Sequence, residues 1–209
     1  MEPTPMALSS ASLKLILQFE VGGGKTYYEK LLKSPTWPGE ASGVTIGVGY
    51  DLGYYDAAQI QADWEDYLTP KALKRLIACA GKRGKDAEKA IAGVKDIVID
   101  WDDALAVFKN TTISTFWRKA KLAFPGVEKL HPNARGAMLS LVFNRGTSLV
   151  GERRKEMRAI KELVTEKDYE GIADQLEAMK RIWVGTTIAE GMNRRRDAEA
   201  ALVRTALKA

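Results

Sequence analysis

The chain has 209 residues, of which 45% are apolar and 28% charged, an ordinary composition for one globular domain. Its one Cys and one His exclude a disulfide framework, a Cys-based zinc site and catalysis by several histidines. The 32 basic and 27 acidic residues give a net charge of +5, which favours anionic partners without specifying one.

No run of about 18 apolar residues occurs, so we expect no stable membrane insertion. The first 20 residues contain neither a basic n-region nor a cleavage site of the A-x-A type. We therefore expect synthesis in a cytoplasm without a classical signal peptide. A protein of this kind that acts outside needs a separate protein to carry or release it.

The N-terminal part of the chain predicts a short amphipathic helix over residues 9–20, which Ser9 or Ser10 can cap. Glu20 stands at the C-terminal end of this helix, where the helix dipole disfavours a carboxylate. That placement is a hint of function, because a purely structural Glu would be better placed elsewhere.

A small sheet is predicted next. Residues 25–43 contain several Pro and Gly and predict an irregular segment. In residues 44–55, apolar residues alternate with Thr, Gly and Asp, which is the period of a strand with one apolar face. Three glycines within residues 43–49 indicate bulges or close backbone approach.

The remainder predicts helices, which begin at capping residues and end at Gly or Pro. They are expected near residues 57–67, 70–80, 86–93, 102–123, 132–145, 152–164, 167–181 and 190–207. We therefore expect an α+β fold that is mostly α. It would be a single domain over residues 1–209, with a small β-containing lobe at about 20–68 and a larger helical lobe.

Two glycine-rich strings resemble nucleotide-binding motifs but fail their requirements. The string GGGKT (22–26) lacks the first Gly of a phosphate-binding loop, since Phe19 stands there, and a helix precedes it instead of a strand. In GVGYDLG (47–53), the third Gly comes one residue late and no helix opens after it. Both strings are better explained as loop and sheet glycines.

Three single residues have ordinary explanations. His131 precedes Pro132 at a helix start, which favours a capping or surface role over general base catalysis. Cys79 lies on the apolar side of a helix and is expected to be a small buried hydrophobe. Trp37, in the Pro-rich segment, can stack on a sugar or base, or can pin the loop; the sequence does not separate these roles.

Basic residues are concentrated at 71–89, 153–155 and 194–196. The first two groups are expected to be solvated helix faces. No groove-fitting motif or interleaved aromatic pattern accompanies them, so we expect no nucleic-acid partner. The third group lies at the start of the last helix, against the helix dipole. It predicts an anionic partner, either a substrate or a carboxylate within the fold.

With the single Cys and the single His set aside, carboxylates are the side chains that could catalyse hydrolysis. Glycoside cleavage uses one carboxylic acid to protonate the leaving oxygen and a second carboxylate to activate water or attack the sugar. The acid must stay protonated, so it needs a desolvated setting. Glu20, between Phe19 and Val21, suits this role, and Asp51 at the end of the Gly-rich strand is the natural second carboxylate.

Three segments, in the same order, resemble the phage-type lysozymes, the muramidases of glycoside hydrolase family 24. They are Glu20 with the following TIGVG, then ARGAMLSLVFNRG (134–146), and EGMNRRRDAEAAL (190–202). The segment 134–146 is similar to that family's central buried helix, and the segment 190–202 is similar to its closing segment. The common pattern has an Asp nine residues after the Glu, where this chain has Glu29. The spacing of Thr45 and Asp51, which stand six residues apart, is similar to the pattern in the muramidase domain of pesticin-like bacteriocins.

The resemblance implies that Glu20 is the general acid and that Asp51 and Thr45 position or activate the water, with Glu29 as the rival of Asp51. It also implies that Arg194 matches the family's Arg that pairs with the catalytic Glu. Trp37 is a candidate for substrate contact. The family is generally inverting, and no metal or organic cofactor is expected.

The implied substrate is peptidoglycan, cut at the β-1,4 bond between N-acetylmuramic acid and N-acetylglucosamine. We expect a monomeric phage endolysin that acts on the wall from the periplasm and depends on a holin or another delivery system. The alternatives are a bacterial effector or bacteriocin with the same activity, and a catalytically inactive lysozyme-like protein that binds glycan.

Overall fold

The structure is a computed structural model that describes residues 8–22 and 24–208. The described residues do not include residues 1–7, on which the expected lack of a signal peptide depends. They also do not include Gly23 of the GGGKT string. The fold is mostly helical with a small antiparallel sheet, so the predicted α+β class with mostly α structure is confirmed.

The α-helices and strands are numbered in chain order. The helices are α1 (Ser10–Glu20), α2 (Gly24–Leu31), α3 (Ala57–Trp64), α4 (Pro70–Ile77), α5 (Lys85–Ala90), α6 (Trp101–Val107), α7 (Ser114–Ala123), α8 (Pro132–Arg145), α9 (Lys155–Glu166), α10 (Tyr169–Ala178) and α11 (Ala189–Arg204). The strands are β1 (Thr45–Ile46) and β2 (Tyr50–Asp51).

Several helix starts follow from local capping chemistry, as the sequence predicts. Ser9 accepts a hydrogen bond from the backbone N–H of Ser12, and Asp56 and Thr69 cap α3 and α4 in the same way. His131 caps α8, where its Nδ1 accepts from a backbone N–H at 3.2 Å. The expected capping role of His131 is therefore confirmed.

Two predictions were only partly correct. The segment 25–43 is not irregular throughout, because α2 occupies its start. Buried Tyr28 holds α2 through a hydrogen bond from its hydroxyl to the Ile99 carbonyl at 2.9 Å. The long helix predicted over 102–123 is present without a break, but its middle part, Phe108–Ile113, is a π-helix between α6 and α7.

The described residues group into two compact units. A sheet unit contains residues 20–113, and a helical unit contains residues 8–19 and 114–208. The sheet unit thus continues past residue 68, the limit expected for the β-containing lobe. No helix within the described ranges is long and apolar enough to cross a bilayer.

In the sheet unit, the hairpin of β1 and β2 packs on α3. The Tyr50 hydroxyl donates a 2.7 Å hydrogen bond to Asp63, and the Tyr50 ring meets the buried ring of Trp64 edge to face. Gly47 and Gly49 have positive φ and close the turn, which other residues would strain. The hairpin is therefore held rigidly from its apolar side.

In the helical unit, α8 is the central helix. Every residue from Ala134 to Val142 except Arg135 is buried. Helix α1 crosses α8 at close range. Gly136 permits this approach, since a Cβ at that position would lie 2.0 Å from the Ser12 hydroxyl. That hydroxyl also donates to the Pro132 carbonyl at 3.0 Å. The helix predicted over 132–145 is confirmed, and its buried part ends at Val142.

Candidate active site

The hairpin places Thr45 and Asp51 directly opposite each other. The backbone N–H and C=O of Thr45 bond to Thr36 on its other side, at 2.8 and 2.9 Å. Thr45 and Asp51 therefore form a non-hydrogen-bonded pair, the pairing in which opposite side chains come closest. Thr36 faces the same way as Thr45, so Thr36, Thr45 and Asp51 form one half-exposed surface that we call the hairpin face.

The opposite side of the ladder is fully buried and apolar. It is formed by the residues that alternate with the hairpin face along the chain, namely Val44, Ile46, Tyr50 and Leu52. A slip of one residue would exchange the two sides, so burial of these four side chains fixes the register. The polar residues thus have to point away from the core.

The carboxylate of Asp51 is held by two backbone donors. Oδ1 accepts from the N–H of Gly53 at 2.8 Å, and Oδ2 accepts from the N–H of Gly43 at 3.0 Å. The first bond caps the short 3₁₀ turn Leu52–Tyr54. Each oxygen keeps one further lone pair, so the group can still accept a hydrogen bond from water. Asp51 is therefore both a turn residue and an oriented acceptor.

Glu20 is the last residue of α1, and its side chain is exposed. The desolvated setting expected for a general acid is therefore not present in this structure. The flanking residues differ in burial: Val21 is buried, whereas Phe19 is half-exposed. The apolar neighbours in the sequence do not enclose the carboxylate, because the chain leaves the helix at this point.

The end of α1 is anchored within the helical unit. The guanidinium of Arg195, on α11, lies over the Phe19 ring at 5.3 Å from its centroid. Together with the contact of Ser12 on α8, this fixes both ends of α1.

The three consecutive arginines of α11 have different environments. Arg194 is exposed and lies 3.7 Å from Glu190, one turn earlier. Arg195 and Arg196 are buried and share Oε1 of Glu199, at 3.2 and 2.8 Å. A carboxylate within the fold is thus the anionic partner of the two buried arginines. The pairing of Arg194 with a catalytic Glu stays a prediction.

The remaining candidates have surface or loop roles in this structure. Glu29 is exposed on α2, with its carboxylate 3.7 Å from the ammonium of Lys25. Trp37 is half-buried, and its ring N–H donates to the Ser42 carbonyl at 3.1 Å. That hydrogen bond supports the loop-pinning role of Trp37. Cys79 is buried, as expected.

A family model matches residues 16–196 of the chain. The chain belongs to that family, which is described as a domain of unknown function (DUF8812). The segment matched by DUF8812 includes Glu20, the hairpin face and the arginines of α11. No curated protein matches the chain.

Within this DUF8812 segment, sequence reasoning missed Thr36 and Arg195. Thr36 lies in the Pro-rich segment, where no strand pattern marks it, and only its pairing with Thr45 brings it to the hairpin face. Arg195 was part of the basic run at 194–196. Its i, i+4 spacing to Glu199 was the signal that could have distinguished it from Arg194.

Proposed function

We propose that this protein is a peptidoglycan muramidase of lysozyme-like fold that acts as a phage endolysin. The observation that carries the proposal is the pairing of Thr45 with Asp51 across the hairpin, with both side chains on its half-exposed face. A hydroxyl beside an oriented carboxylate is the arrangement needed to hold and deprotonate a water molecule. Glu20 belongs to the same compact unit and is accessible.

In the proposed reaction, Glu20 gives its proton to the oxygen of the β-1,4 bond as the C–O bond to N-acetylmuramic acid breaks. Asp51 takes a proton from a water molecule that the Thr45 hydroxyl orients, and the water oxygen bonds to the anomeric carbon. This is the inverting course, in which two carboxylates act on opposite faces of the sugar. Substrate binding must cover the exposed Glu20 and exclude water from it.

The test is hydrolysis of purified peptidoglycan, followed by identification of the new reducing ends. We expect the wild type to release fragments that end in reducing N-acetylmuramic acid. Glu20→Gln removes the proton donor at constant size and should lower the rate by at least about 100-fold. Asp51→Asn should have a similar effect, and Thr45→Ala a smaller one.

Glu29→Gln is the matched control, because Glu29 is an exposed carboxylate of the same unit. It should retain the wild-type rate. Loss of activity in Glu29→Gln with activity retained in Asp51→Asn would assign the second carboxylate to Glu29. Thermal melting of each variant separates a chemical loss from unfolding. Wild-type activity in both Glu20→Gln and Asp51→Asn would reject the mechanism.

One observation favours the inactive, glycan-binding alternative. Both oxygens of Asp51 already accept backbone hydrogen bonds, so this carboxylate has a sufficient structural role without catalysis. The two functions differ in one experiment. A glycan-binding protein would sediment with insoluble peptidoglycan but release no reducing ends, and Glu20→Gln would leave that binding unchanged.

A further inference from the structure

Three arginines of the helical unit lie close together at the end of α8. Arg145 is the last residue of α8, and Arg153 and Arg154 end the 3₁₀ turn that leads into α9. None of the three forms an ion pair with any carboxylate of the described residues. The acidic side chains in this region, Glu152 and Glu156, both pair with Arg181 instead.

The side chain of Arg145 is held in place by neutral groups. Its Nη2 donates to the Arg153 carbonyl at 2.8 Å, and its guanidinium lies 5.3 Å from the centroid of the buried Trp183 ring. Its Nε is buried and has no hydrogen-bond partner in the described part of the chain.

The three positive charges repel one another. Burial, and then the neighbouring charges of Arg154 and Arg153, lower the pKa of Arg145 to about 10. Burial and the charge of Arg153 also lower the pKa of Arg154. The charge of Glu156 opposes this effect and raises the pKa of Arg145, but not enough to cancel it. A bound anion would offset the remaining repulsion and stabilise the fold.

The cluster is accessible to a ligand from solution. Arg153 is exposed, Arg145 and Arg154 are half-exposed, and the neighbouring loop 146–151 is mostly exposed. The sequence predicts a solvated helix face for the basic residues at 153–155. In the structure, Arg153 and Arg154 precede the helix, and their position is tied to Arg145 by the hydrogen bond to the Arg153 carbonyl.

We propose that Arg145, Arg153 and Arg154 form a site that binds a carboxylate of an acidic peptide. Guanidinium groups bind carboxylates and phosphates with the same paired N–H donors, so the shared chemistry is an oxyanion. The choice of peptide rests on the proposed function: in peptidoglycan, stem peptides with free carboxylates branch from the glycan strand. The site would therefore select glycan that carries its peptides.

The binding test uses the full chain with a soluble tripeptide, L-alanyl-γ-D-glutamyl-diaminopimelate, titrated at constant ionic strength and followed by NMR. The double variant Arg153→Gln/Arg154→Gln should bind the tripeptide about tenfold more weakly than the wild type. Arg118→Gln, an exposed arginine of α7, is the matched control and should bind normally. Equal binding by the double variant and the wild type, or no wild-type binding, would overturn the proposal.

A parallel titration with inorganic phosphate separates the two sources of oxyanion. Phosphate that binds as tightly as the tripeptide would overturn the assignment to a peptide carboxylate. Arg145→Lys is the second variant, since it keeps the charge but loses the fork of donors, and we expect it to weaken binding as well. Melting temperatures near the wild-type value will show that the variants are folded.

Hydrolysis kinetics provide the second readout. On peptidoglycan with stem peptides, the double variant should raise KM about tenfold with little change in kcat. On glycan strands from which an amidase has removed the peptides, the variant and the wild type should be equal. Tripeptide binding without any hydrolysis by the wild type would reject the muramidase proposal and leave the site standing. If the wild type hydrolysed glycan equally well with and without the stem peptides, the peptide-binding site would be rejected and the muramidase proposal would stand.

Discussion

The Ser140 hydroxyl on α8 donates a hydrogen bond of 2.6 Å to Oε1 of Glu199 on α11, and both side chains are fully buried. The same oxygen pairs with the guanidinium groups of Arg195 and Arg196. Arg195 also donates to the Ser140 carbonyl at 2.8 Å. This buried network joins the central helix to the last long helix and holds the arginine that lies on Phe19.

Removal of the Glu199 charge should strongly destabilise the protein. Glu199→Gln leaves the guanidinium groups of Arg195 and Arg196 buried without their common carboxylate, and we expect a loss of about 3 to 5 kcal/mol in the free energy of unfolding. Ser140→Ala removes one donor to the same oxygen and should cost about 1 to 3 kcal/mol. Urea denaturation measures both changes.

Glu190→Gln is the control for that experiment, because it removes an equal charge from the exposed part of the same helix. Its unfolding free energy should stay within about 0.5 kcal/mol of the wild type. A Glu199→Gln variant as stable as this control would show that the buried network contributes little.

A methyl group on Gly43 should displace the carboxylate of Asp51. A Cβ there would lie 2.1 Å from Asp51 Oδ1 and 2.5 Å from the Gly53 nitrogen, well inside van der Waals contact. We expect Gly43→Ala to lower the unfolding free energy by about 1 to 3 kcal/mol. It should also reduce muramidase activity if Asp51 activates water.

Gly93→Ala provides the comparison, since a Cβ on Gly93 would meet no atom within 4 Å. This variant should keep the wild-type activity, with a stability change below about 1 kcal/mol. Full activity in a folded Gly43→Ala variant would instead argue that the position of Asp51 is unimportant for the reaction.

Stability should fall in acid partly through Glu177. The hydrogen bond from Arg204, at 2.6 Å, lowers the pKa of Glu177 below its ordinary value of 4.5. A depressed pKa in the folded state stabilises the protein above the unfolded pKa, and this contribution disappears as the pH falls through the folded pKa. The loss should therefore begin near pH 4.5 and continue below it.

The contribution of Glu177 is about 0.5 kcal/mol, because the pair is partly exposed and screened by solvent. Glu177→Gln should lower the unfolding free energy by this amount at pH 7 and have no effect at a pH well below 4. Glu162→Gln, at an exposed position of α9, should match the wild type at both pH values. A constant difference between Glu177→Gln and the wild type at all pH values would contradict the linkage.

Cys79 should be unreactive in the native protein. Its side chain is buried, and burial raises the pKa of its thiol, so little thiolate is available at neutral pH. We expect no reaction with an aromatic disulfide reagent at pH 8 and rapid reaction of one thiol in denaturant. Fast labelling of the native protein would place Cys79 in a region that opens easily.

Local chemistry made much of the fold predictable. Asp56, Thr69 and His131 cap helices through bonds to backbone groups two or three residues away, so a short window of sequence contains both partners. Helix α2 was not predicted, because its buried residue Tyr28 is held by the carbonyl of Ile99, far along the chain.

The sequence likewise predicted only some properties of the candidate site. The alternation over residues 44–52 predicted Thr45 and Asp51 on the polar side of one strand, because side chains in a strand alternate. Only the structure showed that this segment folds back into a hairpin in which Thr45 pairs with Asp51. The sequence also placed Glu20 at the end of a helix. Only the tertiary structure decided that Glu20 is exposed, since exposure depends on which distant residues pack around a position.

The environments of the arginines show most clearly what the sequence alone does not determine. The sequence determined that Arg195 and Arg196 stand four and three residues before Glu199, within reach on one helix. It did not determine which side of α11 is buried, because that depends on packing against α8 and the Ser140 hydroxyl. The sequence also did not show that Arg145 lies near Arg153 and Arg154. They meet because the chain turns back after α8. The Trp183 ring supports the guanidinium of Arg145.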